Sequence, residues 1–448
     1  MWAAISWSHE LLSPAETALF RRLAMFAGGW TLEAAEAVGA GGEVAIEEVV
    51  DLLSRLVEQS LVSVERNLEG EIRYRMLEPI RQYAAARLVE ACEETNWHGR
   101  HAMWCLQLAQ TTETYMPGPE QERWVQRLDP EYGNLRAALE WLDLVNDLET
   151  LLRIAGPLFY YWYARGYLGE ARRWLERGAD APPSVESRVR ARALVGAAWT
   201  AIAQTDHLDA IPYLDQSYAP SELAEDRIGM ALAVFGRGRI AQHQGALDRA
   251  EPAYGLALSL FQAAEHPIWE ANVMVHLGLV VAQRSDHERG TALLQQALAL
   301  HRELGHSRGA GTALLFLGHV AVLEGDDIRA AERYLECLDA LELPWNIASA
   351  LEGIASVEAR RGDPERATRF YAAAAAYREL VGAPLEPAQV PGHAQSIAAI
   401  RAELGEARFT GAWEEGASYS VEQALAEAAA GLTTRQRSCP PGHVKGRR

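Results

Sequence analysis

Lysine is almost missing from this chain. It carries 42 Lys plus Arg residues, and Lys445 is the sole lysine. A phosphate cradle of the form Gly-x-x-x-x-Gly-Lys-Ser/Thr is therefore excluded, because Lys445 sits in a terminal stretch without that setting. Cysteine is scarce as well. Cys92, Cys105, Cys337 and Cys439 show no paired spacing, which argues against a disulfide scaffold or a zinc module and for a reducing, cytoplasmic setting. Long apolar runs are absent: stretches such as Pro157 to Trp162 fall far short of the roughly 20 residues a spanning helix needs, so no membrane partner is expected. The opening Met1-Trp2-Ala3-Ala4 has neither a basic nor an apolar region, and no signal peptide is expected. Positive charge is in short supply overall. A net charge of −19 opposes broad contact with nucleic-acid phosphates or an anionic membrane. The last 18 residues depart from this, with Arg435, Arg437, Lys445, Arg447 and Arg448 and no acid.

What is present is mostly helix-forming. At 448 residues and 49% hydrophobic, the chain has enough apolar material for two to four domains. Ala, Leu, Glu and Arg dominate, with apolar residues recurring at i, i+3, i+4 and i+7. One region breaks the pattern. Ser60-Leu61-Val62-Ser63-Val64 and Ile72-Arg73-Tyr74-Arg75-Met76 alternate on either side of Asn67-Leu68-Glu69-Gly70, which predicts a β-hairpin. Helices are predicted before it, over about 14–26, 32–38 and 46–58, and after it, over 79–92. Together they form a winged-helix arrangement. Ser13-Pro14-Ala15-Glu16 is a strong helix start, with Ser as cap and Glu three residues on.

The second half repeats with a period of 40. Ala198, Gly238, Gly278 and Gly318 are followed twelve residues later by Ala210, Ala250, Gly290 and Ala330. Leu214, Tyr254, Leu294 and Tyr334 come four further on, then Ser217, Ala257, Ala297 and Cys337. A fifth copy runs through Ala355, Ala367, Tyr371 and Ala374, and a degenerate early copy over 159–178. The small residues let two helices approach and the large one fills the space beneath them. This spacing resembles the tetratricopeptide repeat, lengthened from its usual period. The fold expected is mostly all-α: a winged-helix domain with one hairpin, then a tetratricopeptide-like α-solenoid.

Three stretches carry a more specific resemblance. They are Trp7 to Ala35, including Phe26-Ala27-Gly28-Gly29-Trp30; Tyr74-Arg75-Met76-Leu77-Glu78-Pro79-Ile80-Arg81-Gln82-Tyr83-Ala84; and Asn134-Leu135-Arg136-Ala137-Ala138-Leu139-Glu140-Trp141. They resemble the large bacterial transcriptional regulators of the signal-transduction ATPase class with LuxR-type or AfsR-like architecture. Such regulators combine a P-loop ATPase, a winged helix, a tetratricopeptide-like sensor and often a terminal helix-turn-helix. The resemblance implies a regulatory, non-enzymatic role, with the ATPase module missing here and supplied in trans if at all. Related nucleotide switches carry Met-His-Asp where this chain has Met76-Leu77-Glu78, and Leu77 cannot make the polar contact to a nucleotide. Gly431-Leu432-Thr433-Thr434-Arg435 resembles the opening of a helix-turn-helix, but Pro440-Pro441 forbid its continuation, and the tail has the look of a degraded terminus.

Three motifs reduce to packing. Gly305-His306-Ser307-Arg308-Gly309 matches a hydrolase nucleophile elbow but falls between two repeats, without the strand that chemistry needs. Gly236-Arg237-Gly238 matches a loose dinucleotide pattern, yet Gly238 occupies a close-packing position. His101 and Cys105, near His98 and Cys92, lie in an apolar helical stripe, where packing is expected rather than metal binding. No catalytic, cofactor-binding or metal residues are assigned, and no cofactor is expected. The third winged-helix segment carries Glu47, Glu48, Asp51 and Glu58 against Arg55, so direct sequence-specific DNA binding is not expected of it.

The candidate site is the concave wall of the solenoid. By repeat register it is lined by Leu232, Phe235, Arg239 and Gln242; by Asn272, Val275 and Leu279; by Thr312, Leu315 and His319; and by Ser349 and Glu352. The core of this set is Phe235, Arg239, Gln242, Asn272, Leu315, His319 and Glu352, expected to hold a protein or peptide partner or a small effector. The expected organisation is a helical linker and winged helix over 1–95, a connector with a degenerate repeat over 96–180, repeats over 181–405, a terminal helix over 406–430 and a disordered basic tail over 431–448. The other reading is a stand-alone tetratricopeptide peptide-binding scaffold with no transcriptional role.

Overall fold

The computed structural model describes residues 2–66, 70–339, 344–381, 385 and 389–436. Helices α1 (Trp2–Glu10), α2 (Pro14–Arg22), α3 (Leu32–Gly39) and α4 (Val49–Glu58) precede a hairpin of β1 (Ser63–Arg66) and β2 (Ile72–Arg75). Helices α5 (Glu78–Glu90), α6 (Glu94–Tyr115), α7 (Gln121–Leu128), α8 (Tyr132–Leu144), α9 (Leu148–Arg165) and α10 (Leu168–Leu175) follow. Then come α11 (Ser187–Ala203), α12 (His207–Leu223), α13 (Arg227–His243), α14 (Leu247–Ala263), α15 (Pro267–Gln283), α16 (His287–Glu303), α17 (Ser307–Leu323) and α18 (Asp327–Asp339). The described chain closes with α19 (Pro344–Arg360), α20 (Pro364–Val381), α21 (Val390–Leu404), α22 (Glu406–Ala417) and α23 (Val421–Gln436). These residues form two compact units: Met1–Thr200 with Ala219–Ala224, and Ala201–Tyr218 with Glu225–Arg448.

The first unit opens with the winged helix. Ser13 caps α2 in a complete capping box: its Oγ accepts from the Glu16 N–H at 3.3 Å, and the Glu16 carboxylate accepts from the Ser13 N–H at 2.7 Å. Thr31 caps α3 with its side chain alone, its Oγ1 accepting the Ala34 N–H at 3.3 Å. The apolar faces meet in a core that includes Leu19, Phe20, Leu23, Val38, Leu53, Leu56 and Leu88, each 0% exposed. The hairpin is antiparallel, with Ser63 opposite Arg75 and Arg66 opposite Ile72; its turn, 67–69, lies outside the described residues. Two predicted helices are shorter than the periodicity indicated. The chain turns tightly at Leu23–Met25 after α2 and at Ile46–Glu48 before α4, because single 3₁₀ turns there let the chain change direction.

The second unit is a stack of helical hairpins: α13/α14, α15/α16, α17/α18 and α19/α20. The small-and-large spacing read from the sequence is the packing itself. A Cβ on Gly238 would lie 2.5 Å from the Tyr254 ring, and one on Gly318 would lie 2.5 Å from the Tyr334 ring. At Gly278 it would meet Leu294 at 2.8 Å. The connections repeat as well. A residue in the left-handed region recurs every twenty positions at Thr205, Glu225, Gly245, Glu265, Ser285, Gly305 and Gly325. It ends one helix, as a left-handed C-cap does. Where aspartate follows it, as at Asp226, Asp286 and Asp326, the carboxylate accepts the N–H three residues on and starts the next helix.

Two differences appear toward the end. The stretch expected as one terminal helix over 406–430 is two, α22 and α23, broken around Ser418. The second continues to Gln436, so the first six residues of the expected tail are helical, while 437–448 lie outside the described residues. Among the described residues, no helix is long and apolar enough to cross a membrane.

Candidate partner-binding wall and winged-helix joint

The residues predicted to line the solenoid wall divide into two sets. Phe235 is 2% exposed and Leu315 is 0% exposed; Leu232, Val275 and Leu279 are buried too. Their expected place on an open surface is corrected. In this stack the first helices of neighbouring hairpins touch one another, α15 against α17 and α17 against α19. The register position of Phe235 and Leu315 therefore falls in the seam rather than on the wall. Phe235 packs at 5.6 Å from Tyr254, 6.0 Å from Trp269 and 5.5 Å from His276.

Arg239, Gln242, Asn272, Thr312 and His319 do remain partly exposed. Gln242 accepts the Tyr254 hydroxyl at 2.6 Å, and Asn346 donates to Thr312 at 3.2 Å across adjacent hairpins. Glu352 is partly exposed yet fully engaged. Arg378 grips both its oxygens, at 2.7 and 2.9 Å, and also reaches Ser349 at 3.0 Å, while the His393 ring lies 3.6 Å away. A paired carboxylate of this kind is a structural tie more than a recognition group.

Two neighbours of the predicted members connect this column, each one position beyond one of them: His276, which is partly exposed, and Phe316, which is buried at 6% exposure. Arg239 donates to His276 Nδ1 at 2.8 Å. His276 meets Phe316 edge-on at 5.5 Å, and Phe316 stacks on His319 at 5.8 Å. One continuous ladder thus runs Arg239–His276–Phe316–His319 across α13, α15 and α17. Burial, with Arg239 alongside, holds the His276 ring well below its usual pKa, so it stays neutral and accepts the guanidinium N–H. Burial pushes His319 down to about 4. The forty-residue spacing from Gly236 to His276 to Phe316 carries the signal, and the side-chain contacts between hairpins are what join the column.

Charge is partitioned between the helices. Helices α13, α15 and α17 hold four arginines and one acid, Glu270. Their hairpin partners α14, α16 and α18 hold eight acids. In a chain of net charge −19, the first helices are thus the acid-poor side of each hairpin.

The nucleophile-elbow and dinucleotide patterns are packing features. Helix α16 precedes Gly305, and the glycine at 309 leaves room for the His301 ring, which a Cβ there would meet at 2.3 Å. Gly236 lies mid-helix in α13 against Leu214. His101 is 1% exposed and Cys105 is 0% exposed; they pack against Phe26 and the Asn134 carbonyl.

A second constellation joins the three stretches that carried the family resemblance. Asn134 on α8 accepts from the Ala27 and Gly28 N–H groups at 2.8 and 3.3 Å. It donates to the Gly29 carbonyl at 2.9 Å and to Glu131 at 2.6 Å. Trp30 and Tyr74 exchange backbone hydrogen bonds at 2.9 and 2.8 Å, tying this loop to β2. Arg73 pairs with Glu131 at 2.5 Å, both nearly buried. Gly29 has φ 83°, and a Cβ there would lie 2.7 Å from the Tyr74 carbonyl oxygen, so only glycine fits. Asn134 satisfies four partners at once, and three of them tie the loop at 27–29 to α8. Helix α4 and the 3₁₀ turn before it expose Glu47, Glu48, Asp51 and Glu58, and Arg55 of α4 pairs with Glu16 at 3.2 Å.

Residues 12–89 match the winged helix-turn-helix domain family. That defines the class of the first module, which occupies a minor part of the chain. Proteins of Mycobacterium tuberculosis and Mycobacterium bovis named as HTH-type transcriptional regulators are 34% identical over 271 residues, 59% of this chain and 30% of theirs. An uncharacterized protein of Mycobacterium tuberculosis is 45% identical over 92 residues, 20% of this chain and 23% of its own length. The chain thus spans about 30% of the length of the regulators it matches. Among solved structures, a signal transduction ATPase with numerous domains and a tetratricopeptide repeat sensor, from Pyrococcus horikoshii, covers 96% of this chain and 64% of its own at 15% identity, with a TM-score of 0.48. A Rap protein complexed with competence and sporulation factor covers 75% of this chain and 99% of its own at 15% identity and the same score.

Proposed function

We propose that this chain is the regulatory and interaction region of a bacterial transcriptional regulator of the LuxR-type or AfsR-like signal-transduction ATPase class. In this reading it acts in the cytoplasm and is not itself an enzyme. The solenoid wall holds a protein or peptide partner, and the winged helix acts as the rigid adaptor between that event and an ATPase module. The observation that carries the reading is the ladder Arg239–His276–Phe316–His319, in which a partly exposed cation and two partly exposed imidazoles are backed by the buried Phe316 on the acid-poor side of the hairpins. That surface suits an extended or helical segment with acidic and aromatic residues. The acidic face of α4 opposes a duplex, so the winged helix serves as a switch element rather than a DNA reader.

Affinity capture from extract with the parent chain and an Arg239→Glu/His319→Ala variant, read by mass spectrometry, tests this. A partner held by the parent and lost by a variant with an unchanged circular-dichroism melt supports the reading. A partner held equally by both refutes the wall as the working surface.

A further inference from the structure

Within the first unit, α6, α8, the start of α9 and Ala37 of α3 line an open cleft of about 490 Å³ that the solenoid reading does not use. This is within the range of small-molecule sites, roughly 300–1,000 Å³. Asn96, Arg100, Met103 and Gln107 face it from α6 at helical spacing, and Trp104 and Trp141 give it two indole walls. Both indoles are held from behind. His98 stacks on Trp141 at 5.5 Å with rings 7° from parallel, and Trp104 meets Phe26 edge-on at 5.6 Å.

The Arg100 guanidinium donates to the Ala37 carbonyl at 2.8 Å and to the Ala40 carbonyl, and lies 4.9 Å over the Trp97 ring. Both acceptors are neutral carbonyls, so the guanidinium is fixed in place without an ion pair among the described residues. The acid in the lining, Asp147, caps α9 by accepting the Thr150 N–H at 3.1 Å. Gly99 keeps the cleft open: a Cβ there would stand 3.8 Å from Trp141, an ordinary contact, so any longer side chain would grow into the space.

We propose that this cleft binds a small planar aromatic anion, of the size of an indole or benzene carboxylate. The ring would lie against Trp104 and Trp141, and the carboxylate would meet Arg100. Occupancy would reach the winged-helix joint by a short path, because Trp104 shares Phe26 with Trp30, and Trp30 is bridged to Tyr74 of β2.

Isothermal titration and ligand-detected NMR on the full chain, with indole-3-acetate and benzoate as probes, test the proposal. Neutral indole and cyclohexylacetate serve as controls that lack the charge and the flat ring. Saturable binding of the aromatic acids is expected, with each control weaker by roughly tenfold, the value of one charged hydrogen bond or a stacked ring. Gly99→Leu should abolish binding while melting as the parent does, and Arg100→Gln should bring the acids down to the level of neutral indole. Gly99→Ala should bind nearly as the parent does. The Arg239→Glu/His319→Ala variant should bind as the parent does, which separates this site from the solenoid wall. No saturable binding of either acid up to millimolar concentration, or binding undiminished in folded Gly99→Leu, overturns the proposal.

Discussion

Replacing Gly318 with alanine adds one methyl group, and the structure says where it goes. The new Cβ would sit 2.5 Å from Tyr334 Cε1 and 2.6 Å from Cδ1. A flexible side chain could swing aside, but this one is held from the other face. The site for a Cβ on Gly353, in the next hairpin, lies 2.4 Å from Tyr334 Cζ, so the ring is clamped between two glycines. The ring is 1% exposed and has no room to retreat, so the helices must part. Overpacking of this kind costs about 1–3 kcal/mol. Alanine returns up to about 1 kcal/mol through its better helix propensity. With the ring clamped on both sides the cost falls at the upper end, about 2–3 kcal/mol, which leaves a net loss of about 1–2 kcal/mol. Gly255→Ala supplies the control: it too is helical, but a Cβ there meets nothing within 4 Å, so only the propensity gain of about 0.5–1 kcal/mol remains. The same chemical change should therefore have opposite signs at two positions of one solenoid. Urea titrations followed by circular dichroism would measure both. Gly318→Ala matching or exceeding the parent would refute the packing argument, and with it the repeat register.

Other expectations follow from the same structure. Asn134→Ala should cost about 2–4 kcal/mol, because it strands the Ala27 and Gly28 N–H groups and the Gly29 carbonyl; faster amide exchange at 27–28 would report it. Glu265→Gly and Ser285→Gly should each stabilise by about 0.5–1 kcal/mol, since both residues hold φ values of 53° and 76° that glycine adopts freely; thermal melts would show it. Ser13→Ala should lose about 1 kcal/mol with its capping box, seen as a lower melting temperature. Burial pushes His101 and His301 down to about 3, and His306 and His319 to about 4. Their folded pKa values lie below the unfolded value near 6.5, so the neutral form is the one that folds. Their contribution is complete above pH 6.5 and is lost as pH falls from there toward 4 and 3. A melting temperature that stays flat from pH 7 to pH 4 would contradict it.

Much of the fold was legible because it is written in periods. Gly238, Gly278 and Gly318 recur with their large partners at a spacing no chance pattern reproduces, and the glycines pack on those partners in the structure. The capping box at Ser13 was equally readable, since it depends on four consecutive residues. The wall is less legible in the sequence. Phe235 and Leu315 share the register of an exposed column, but exposure depends on how closely neighbouring hairpins approach, and no single repeat encodes that distance. His276 escapes the register for the same reason, lying one residue beyond Val275. The joint was present in the sequence as three separate stretches that looked alike in origin; that Asn134 reaches the loop at 27–29 is a long-range contact only the folded chain displays.

The central claim is that the solenoid's inner wall meets a partner. Site-specific photo-crosslinking in cells tests it most directly, with p-benzoyl-phenylalanine placed in turn at Gln242 and Asn272 on the wall and at Gln296 on the exposed face of α16. Both wall positions should give a discrete crosslinked species and Gln296 none, and adding Arg239→Glu should abolish that species. Crosslinks from Gln296 alone, or wall crosslinks indifferent to Arg239→Glu, would contradict the claim.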